Sequence, residues 1–519
     1  MDLTYNGSEL NQKTVLGHPS GLYILFFTEM WERFSYYGMR AILVLFLVSS
    51  FNDGGWGWER SEALALYGIY TGLVYITPIF GGLIADKFLG YRNAVILGAF
   101  VMTLGHASMA FEVFNNLFLY LGLIFLIIGN GFFKPNISSI VGQLYKTEGQ
   151  DKDAGYTIFY MGINSGAFLG ILLCGYIGEN IGWHYGFGLA GVFMFLGMLQ
   201  FYYAQKIFGN IGVFENDIYS EKQIDKSLNT NKKNSPKIVY DRLSVIVIFS
   251  LCVIFFWWAF EQAGGSMTIF ASDYTNRLLD GSGALVFKIF NSLITIVPMI
   301  IISYIIYLLC LNVFSVYKIS SIFLISSFLV IWLIIIWMLA REFNNPSTEV
   351  PASWYGILNS FYIIVFAPLI SKIWQSKYNV SGPYKFGFGL ISLAIGFAVL
   401  SYGSYNIPLG AKTASVSMLF LILAYFFHTI GELCISPVGL SYVSKLAPKN
   451  LVGLMFGVWF VANFIANTAA GFTGSYIDPI VENYGMSFFF LIFTVIPIAV
   501  GIIMLLANNK IVRMMHGVK

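Results

Sequence analysis

Between Thr28 and Arg40, in T-E-M-W-E-R-F-S-Y-Y-G-M-R, stand the side chains whose spacing lets them act together: Glu29, Glu32, Arg33, Tyr36 and Arg40. An α-helix turning about 100° per residue gathers all five on one side. Two carboxylates beside two guanidiniums can hold and release protons, bind anions and exchange ion-pair partners. Their surroundings are apolar, with G-L-Y-I-L-F-F before them and A-I-L-V-L-F-L-V after, and the whole stretch is long enough to cross a bilayer. A charge at bilayer depth costs at least about 2.5 kcal/mol and normally faces a bundle interior or a watery cavity. The charged side of this helix is therefore expected to look inward.

Three more ionisable residues sit in apolar surroundings: Lys134 in G-N-G-F-F-K-P-N, Glu261 in F-F-W-W-A-F-E-Q and Glu432 in H-T-I-G-E-L-C. Lys134 lies in the amino-terminal half, Glu261 and Glu432 in the carboxy-terminal half. Opposite charges on the two halves can pair across a central interface and part when the halves rock. Acids outnumber bases in this set, and in a low-dielectric interior such an excess is relieved by taking up a proton. Proton coupling is the expectation that follows. Static ion pairs tying helices together are the alternative, disfavoured because buried pairs stabilise less well than apolar packing. His106 and His428 compete as proton carriers, and each reads better as a hydrogen-bonded interior residue. The loop G-G-L-I-A-D-K-F-L-G-Y-R, with Gly81, Asp86, Lys87 and Arg92, reads as a gate latch: glycines permit close helix approach and the charges lock the loop to helix ends.

Hydrolytic and metal chemistry find no motif. Cys174, Cys252, Cys310 and Cys434 lie singly in apolar runs without C-x-x-C spacing and read as packing residues. No G-x-S-x-G, H-E-x-x-H or G-x-x-x-x-G-K-[ST] pattern occurs. An enzyme, an ATP-driven pump, a metal site and an organic cofactor are all unexpected, which leaves the proton as the coupling ion.

The elements that must position these residues are helices in a bilayer. Of 519 residues 57% are hydrophobic and 11% charged, against roughly 25% charged in soluble proteins. This composition describes a polytopic membrane protein and gives no support to nucleic-acid binding. Residues 1–20 are polar and do not form a cleavable signal, so the first span is expected to act as the insertion signal. Fourteen apolar segments can be marked. Six fall within residues 1–205, a polar linker containing K-S-L-N-T-N-K-K-N-S-P-K occupies 206–241, and eight lie in 242–519. With both ends inside, the outer loops hold only Arg60, Arg277, Arg341 and Lys412 among lysines and arginines; all others in loops are inside, as cytoplasmic loops require. The expected fold is an all-α membrane protein of two six-helix bundles plus two extra helices. The extra pair is placed at about 285–340, aliphatic and lipid-facing, with Asn291, Ser292 and Thr295 near one end. Thr77-Pro78, Lys134-Pro135 and Ser436-Pro437 mark helices that bend.

The run Glu29 to Tyr37, E-M-W-E-R-F-S-Y-Y, resembles the E-x-x-E-R-F-x-Y-Y signature of proton-coupled oligopeptide transporters, a branch of the major facilitator superfamily. The G-G-L-I-A-D-K-F-L-G-Y-R loop resembles the superfamily's loop motif, and F-Y-M-G-I-N-S-G, Phe159 to Gly166, resembles the family's fifth-helix signature. The resemblance implies uptake of di- and tripeptides with protons through a bacterial plasma membrane, by alternating access between two six-helix bundles. It further implies that Glu29, Glu32 and Glu261 are proton-linked, that Arg33 pairs with Glu261 and binds the peptide carboxylate, and that Lys134 pairs with Glu432. Glu432 with Asn164 and Asn359 would receive the peptide amine, and Tyr36, Tyr37, Tyr75 and Trp459 would line the pocket. In one respect the chain departs from bacterial relatives: their extra helices precede the seventh helix, whereas here they follow F-E-Q-A-G-G-S.

The expected activity is thus a peptide:proton symporter working as a monomer, with no enzymatic step. A symporter for another small solute, such as an amino acid or nitrate, and a non-transporting peptide sensor are the alternatives.

Overall fold

A bilayer interior offers backbone amides no water, so a spanning chain must close its hydrogen bonds inside helices. The structure, a computed structural model, describes residues 13–145, 149–214, 236–376, 378–448 and 451–518. Its long helices are α1 Ser20–Val48, α2 Arg60–Ile84, α3 Tyr91–Ala110, α4 Leu117–Gln143, α5 Gln150–Asn180, α6 Trp183–Ala204, α7 Pro236–Phe260, α8 Gly281–Val313, α9 Lys318–Asn344, α10 Ile357–Gln375, α11 Gly382–Gly403, α12 Leu419–Leu446, α13 Val452–Gly474 and α14 Met486–Met514. Thirteen spans among the described residues are long and apolar enough to cross a membrane. The remaining long helix, α1, is the one that carries the charged face. The expected linker falls largely on residues 215–235, outside the described residues. Pro236 opens α7 ahead of the expected 242, since a proline suits a first helical turn where no N–H bond is lost.

The chain forms two compact units. The first comprises residues up to Phe46, Thr77–Phe214 and Arg277–Ile357. Within it α1 is pressed onto α5 along Gly162, Gly166 and Gly170. A methyl on these glycines would stand 2.9, 2.2 and 2.2 Å from the carbonyl oxygens of Phe26, Met30 and Phe34. Without a hydrophobic drive between helices in lipid, such small-residue seams are what hold spans together.

The helix pair α8–α9, placed by sequence inside the 242–519 part, packs with this first unit. Polar ties at both ends account for it. At one end Ser320 donates to the carbonyl of Gln200 (2.7 Å), while the Gln200 side chain accepts from Trp31 Nε1 (3.2 Å) and donates to Ile24 O (3.3 Å). Phe328 of α9 sits 5.3 Å from the Trp31 ring. At the other end Tyr176 and Thr348 donate to Glu342 (3.0 and 2.7 Å), and Glu179 accepts from the amides of Ala352 (2.8 Å) and Ser353 (2.9 Å). Residues Leu278–Leu279 and Thr348–Glu349 pair as a short antiparallel ladder beside these bonds. Lys288, hidden in a run that reads as aliphatic, is only 5% exposed and donates to Asn345 O. On the other side of the pair Ile289, Leu293, Ile300, Leu333 and Ile336 are exposed.

The second unit comprises Leu47–Ile76, Glu215–Asn276 and Leu358–Lys519. Here the first part of α2 meets α13 backbone to backbone, a methyl on Gly68 falling 2.6 Å from the Gly471 Cα. Arg60 fastens the same end of α2 by bonds to Asp273, Asp478 (2.9 Å), the Tyr274 hydroxyl (3.1 Å) and Lys412 O (3.2 Å). Helix α7 and the turn after it join α13 through Trp258 Nε1 to Thr473 (2.9 Å) and Gln262 to Ala470 O (2.9 Å). Helix α2 passes from one unit to the other at Thr77-Pro78. Pro78 has no N–H for the Val74 carbonyl, so the crossing occurs where the helical ladder is already interrupted.

Three outcomes test this packing. Gly166→Ala should lower stability by about 1–3 kcal/mol, the usual range for forced overpacking, read as a fall in thermal unfolding temperature in detergent. Gly188→Ala, whose nearest neighbour is an ordinary 3.6 Å away, should leave that temperature unchanged. Glu179→Ala strands two amides and should cost on the order of 2–3 kcal/mol by the same measurement.

Candidate functional site

The glycine seam of α5 decides where the α1 charges can go. Phe26, Met30 and Phe34 give their carbonyls to the seam, and Arg33 Cβ would be only 2.9 Å from a methyl on Gly166. The stem of Arg33 thus begins beside the contact line while its head group lies among acids. Arg33 Nε stands 2.7 Å from Glu29 Oε1 and 2.7 Å from Glu32 Oε2. All three side chains are buried. Arg33 Nη2, Glu29 Oε2 and Glu32 Oε2 are shielded from solvent and have no hydrogen-bond partner among the described residues. One guanidinium therefore donates its Nε–H to Glu29, lies beside Glu32 as a counter-charge and still keeps an unused donor.

Helix α4 brings Asn130 and, one turn on, Lys134. Asn130 Nδ2 donates to Glu32 Oε1 at 2.8 Å. The placement of α4 depends on its contact with α2, where a methyl on Gly81 would lie 2.0 Å from Gly131 O and where Thr77 donates to Ile127 O at 2.9 Å. Lys134 is half-buried and its field reaches Glu32. The Tyr36 and Tyr37 rings meet edge to face at 5.1 Å, with Arg33 5.8 Å from the first and Arg40 5.9 Å from the second. Asn164, on α5, is buried and donates to Tyr160 O at 3.0 Å.

The second unit holds its own set. Glu432 on α12 accepts from Asn359 Nδ2 of α10 at 2.8 Å, and the same amide lies 3.2 Å from Thr429 Oγ1. Glu261 is buried in the Glu261–Gly264 turn that follows α7. Trp459 of α13 is buried over α12, its ring filling the space that a side chain on Gly439 would need. Tyr75, on the part of α2 in this unit, is half-buried. Arg33 and Lys134 thus belong to the first unit, Glu261 and Glu432 to the second.

At the expected gate loop, Asp86 is exposed in the Ala85–Leu89 turn, and Arg92 reaches back to the end of α6. Its Nη1 donates to Gln205 O at 2.8 Å and its amide to Gly212 O at 3.0 Å. The histidines differ from expectation. His106 and His428 are buried, but neither ring has a hydrogen-bond partner among the described residues. The Cβ of His106 and the ring of His428 instead pack against glycines, Gly191 and Gly396, and His428 lies 4.4 Å from the Phe397 ring. Space rather than polarity holds them. Asn130 was missed at the sequence level, although an amide between two glycines in an otherwise apolar helix, one turn before a lysine, was the signal available.

The family profile described as POT family matches residues 92–233 and 325–487. The peptide transporter YePEPT of Yersinia enterocolitica is 32% identical over 90% of this chain and 89% of its own length. The di-/tripeptide transporter of Lactococcus lactis subsp. cremoris is 31% identical over 98% and 99%. A solved peptide transporter POT in complex with sulfate superposes with a TM-score of 0.76 at 28% identity, covering 98% of both chains. A POT family transporter in complex with 5-aminolevulinic acid gives the same TM-score at 25% identity, over 97% of this chain and 99% of that one. With more than half of its length in the family profile and 32% identity to a relative over 90% of the chain, the chain belongs to the POT family.

Proposed function

We propose that the chain imports di- and tripeptides together with protons by alternating access. The observation that carries this reading is the buried Arg33, shared between Glu29 and Glu32 and left with an unused N–H donor, in a chain whose relatives are named peptide transporters. A short peptide is a zwitterion whose carboxylate needs a cation and whose amine needs an anion some distance away. Arg33 and Lys134 offer the first, and Glu432, held by Asn359 and aided by Asn164, offers the second. Tyr36, Tyr37, Tyr75 and Trp459 supply amphipathic walls that accept varied side chains without reading them closely.

Proton coupling follows from charge balance. A peptide carboxylate that takes Arg33 removes the counter-charge of Glu29 and Glu32, and a proton on one of them offsets the loss. In the empty carrier Arg33–Glu261 and Lys134–Glu432 are the pairs that would join the units. Protonation and peptide binding part them, shifting the balance between states by their differential stabilisation. The loop of Gly81, Asp86 and Arg92 serves as the latch on one side. The lysine distribution supports cytoplasmic termini in a bacterial plasma membrane. The monomer is the working unit, the proton is the only coupling species and no nucleic acid is bound.

The 5-aminolevulinic acid complex of a relative favours one broader reading, that separated amine and carboxylate groups matter more than a peptide bond. Nitrate lacks the amine and would leave Glu432 unused. In proteoliposomes Glu32→Gln should lose pH-gradient-driven dipeptide accumulation while retaining counterflow; equal accumulation would remove Glu32 from coupling. A protein that binds dipeptide without counterflow would be a sensor instead. Asn359→Leu should weaken dipeptide binding roughly tenfold, the equivalent of about 1.4 kcal/mol for a lost bond to a charged group, read as a shift in the uptake KM. Competition by di-, tripeptides and single amino acids ranks the substrate classes.

A further inference from the structure

Asn130 lies outside the residues that the resemblance assigns, yet its amide is bonded to a carboxylate at the centre of the site. Its Nδ2 donates to Glu32 Oε1 at 2.8 Å, while its Oδ1 is shielded from solvent and has no partner among the described residues. Both residues are buried, Glu32 at 0% and Asn130 at 1% exposure. The charged groups that face Glu32 are Glu29 and Arg33 from its own helix and Lys134 from α4. Arg33 Nε stands 2.7 Å from Oε2 but gives its one N–H to Glu29 Oε1, and a proton placed on Oε2 would face a guanidinium that offers no acceptor. The other oxygen, Oε1, faces Asn130.

A proton arriving on Glu32 is therefore best placed on Oε1, where it meets the amide N–H that served the carboxylate. A carboxamide carries a donor on one side and an acceptor on the other, and turning about its terminal bond exchanges them. We propose that Asn130 is a positioning residue that serves both protonation states of Glu32, donating from Nδ2 to the carboxylate and, after inversion, accepting at Oδ1 from the carboxylic acid. The proton comes from the water on the uptake side, forms one O–H bond at Oε1 and later leaves as a proton to the cytoplasmic water, so nothing else is consumed. In either orientation one amide atom bonds Glu32 and the other lacks a partner. The exchange therefore favours neither state strongly, as a group that must load and unload requires.

This rests on the proton-coupling role proposed for Glu32, and infrared difference spectroscopy separates the two claims. Acidifying the purified full chain should produce a protonated-carboxyl band that Glu32→Gln removes. If no such band exists at any pH, the coupling role and this inference fall together. In Asn130→Val the band should move to higher frequency, because the acid has lost its acceptor, and in Asn130→Thr, which has the same shape but a hydroxyl, it should return. A band that stays in place in Asn130→Val overturns the inference and leaves Glu32 coupling intact. The unsubstituted protein gives an independent reading should the variants fail to fold. With 13C-labelled asparagine, acidification should lower one amide carbonyl frequency, a change absent in Glu32→Gln, and its absence in the unsubstituted protein overturns the inversion.

Discussion

A guanidinium between two carboxylates, inside a helix that crosses the membrane, is the constraint the rest of the first unit answers to. Removing an ion from water costs several kcal/mol even after relaxation, and pairing returns that cost only when the geometry satisfies every donor and acceptor. Here it does not. Arg33 Nε donates to Glu29 while lying 2.7 Å from Glu32, Nη2 and Glu32 Oε2 lack hydrogen-bond partners among the described residues, and Asn130 supplies the other oxygen of Glu32 with a neutral donor. A fully satisfied triad would be inert, whereas this one gains from an anion that brings oxygens of its own.

In the second unit Glu261 is buried and Glu432 is half-buried, and Glu432 takes its hydrogen bond from the neutral amide of Asn359. An amide donor satisfies a carboxylate oxygen but leaves its charge unneutralised, so a protonated amine or a proton is the complement that remains. Arg33 in the first unit keeps a spare donor, and Glu432 in the second keeps a charge that its amide partner does not neutralise.

How far this could be read from the chain varies by feature. The α1 face was legible because offsets of three and four residues leave no doubt about which side chains share a side. The helices themselves were legible because lipid forces long apolar runs. The partners of α8–α9 were not. Sequence order joins the pair to α7 and α10, but its packing is set by Gln200, Ser320, Glu179 and Glu342, side chains that look ordinary one at a time. Lys288 escaped notice because a four-carbon stem fits an apolar run while the amine reaches a backbone carbonyl. The two interior histidines invited a hydrogen-bonded reading on residue type alone, and the glycines opposite them, which decide the packing, lie on other helices.

The charged cluster of α1 is not what fastens that helix to its neighbours. Its attachment to α5 runs through the carbonyls of Phe26, Met30 and Phe34 against Gly162, Gly166 and Gly170, a row beside the one that carries Glu29, Arg33, Tyr36 and Arg40. Further along, Trp31 and Phe328 add apolar contact to α9. None of these contacts involves an ionisable atom, so the helix keeps its place whichever partner Arg33 has. If the ion pairs themselves anchored α1, a change of partner would loosen the scaffold at the moment of binding. Because backbone packing supplies the anchorage, the charges are left to exchange, and the cost of each exchange is confined to a few atoms at one end of three side chains.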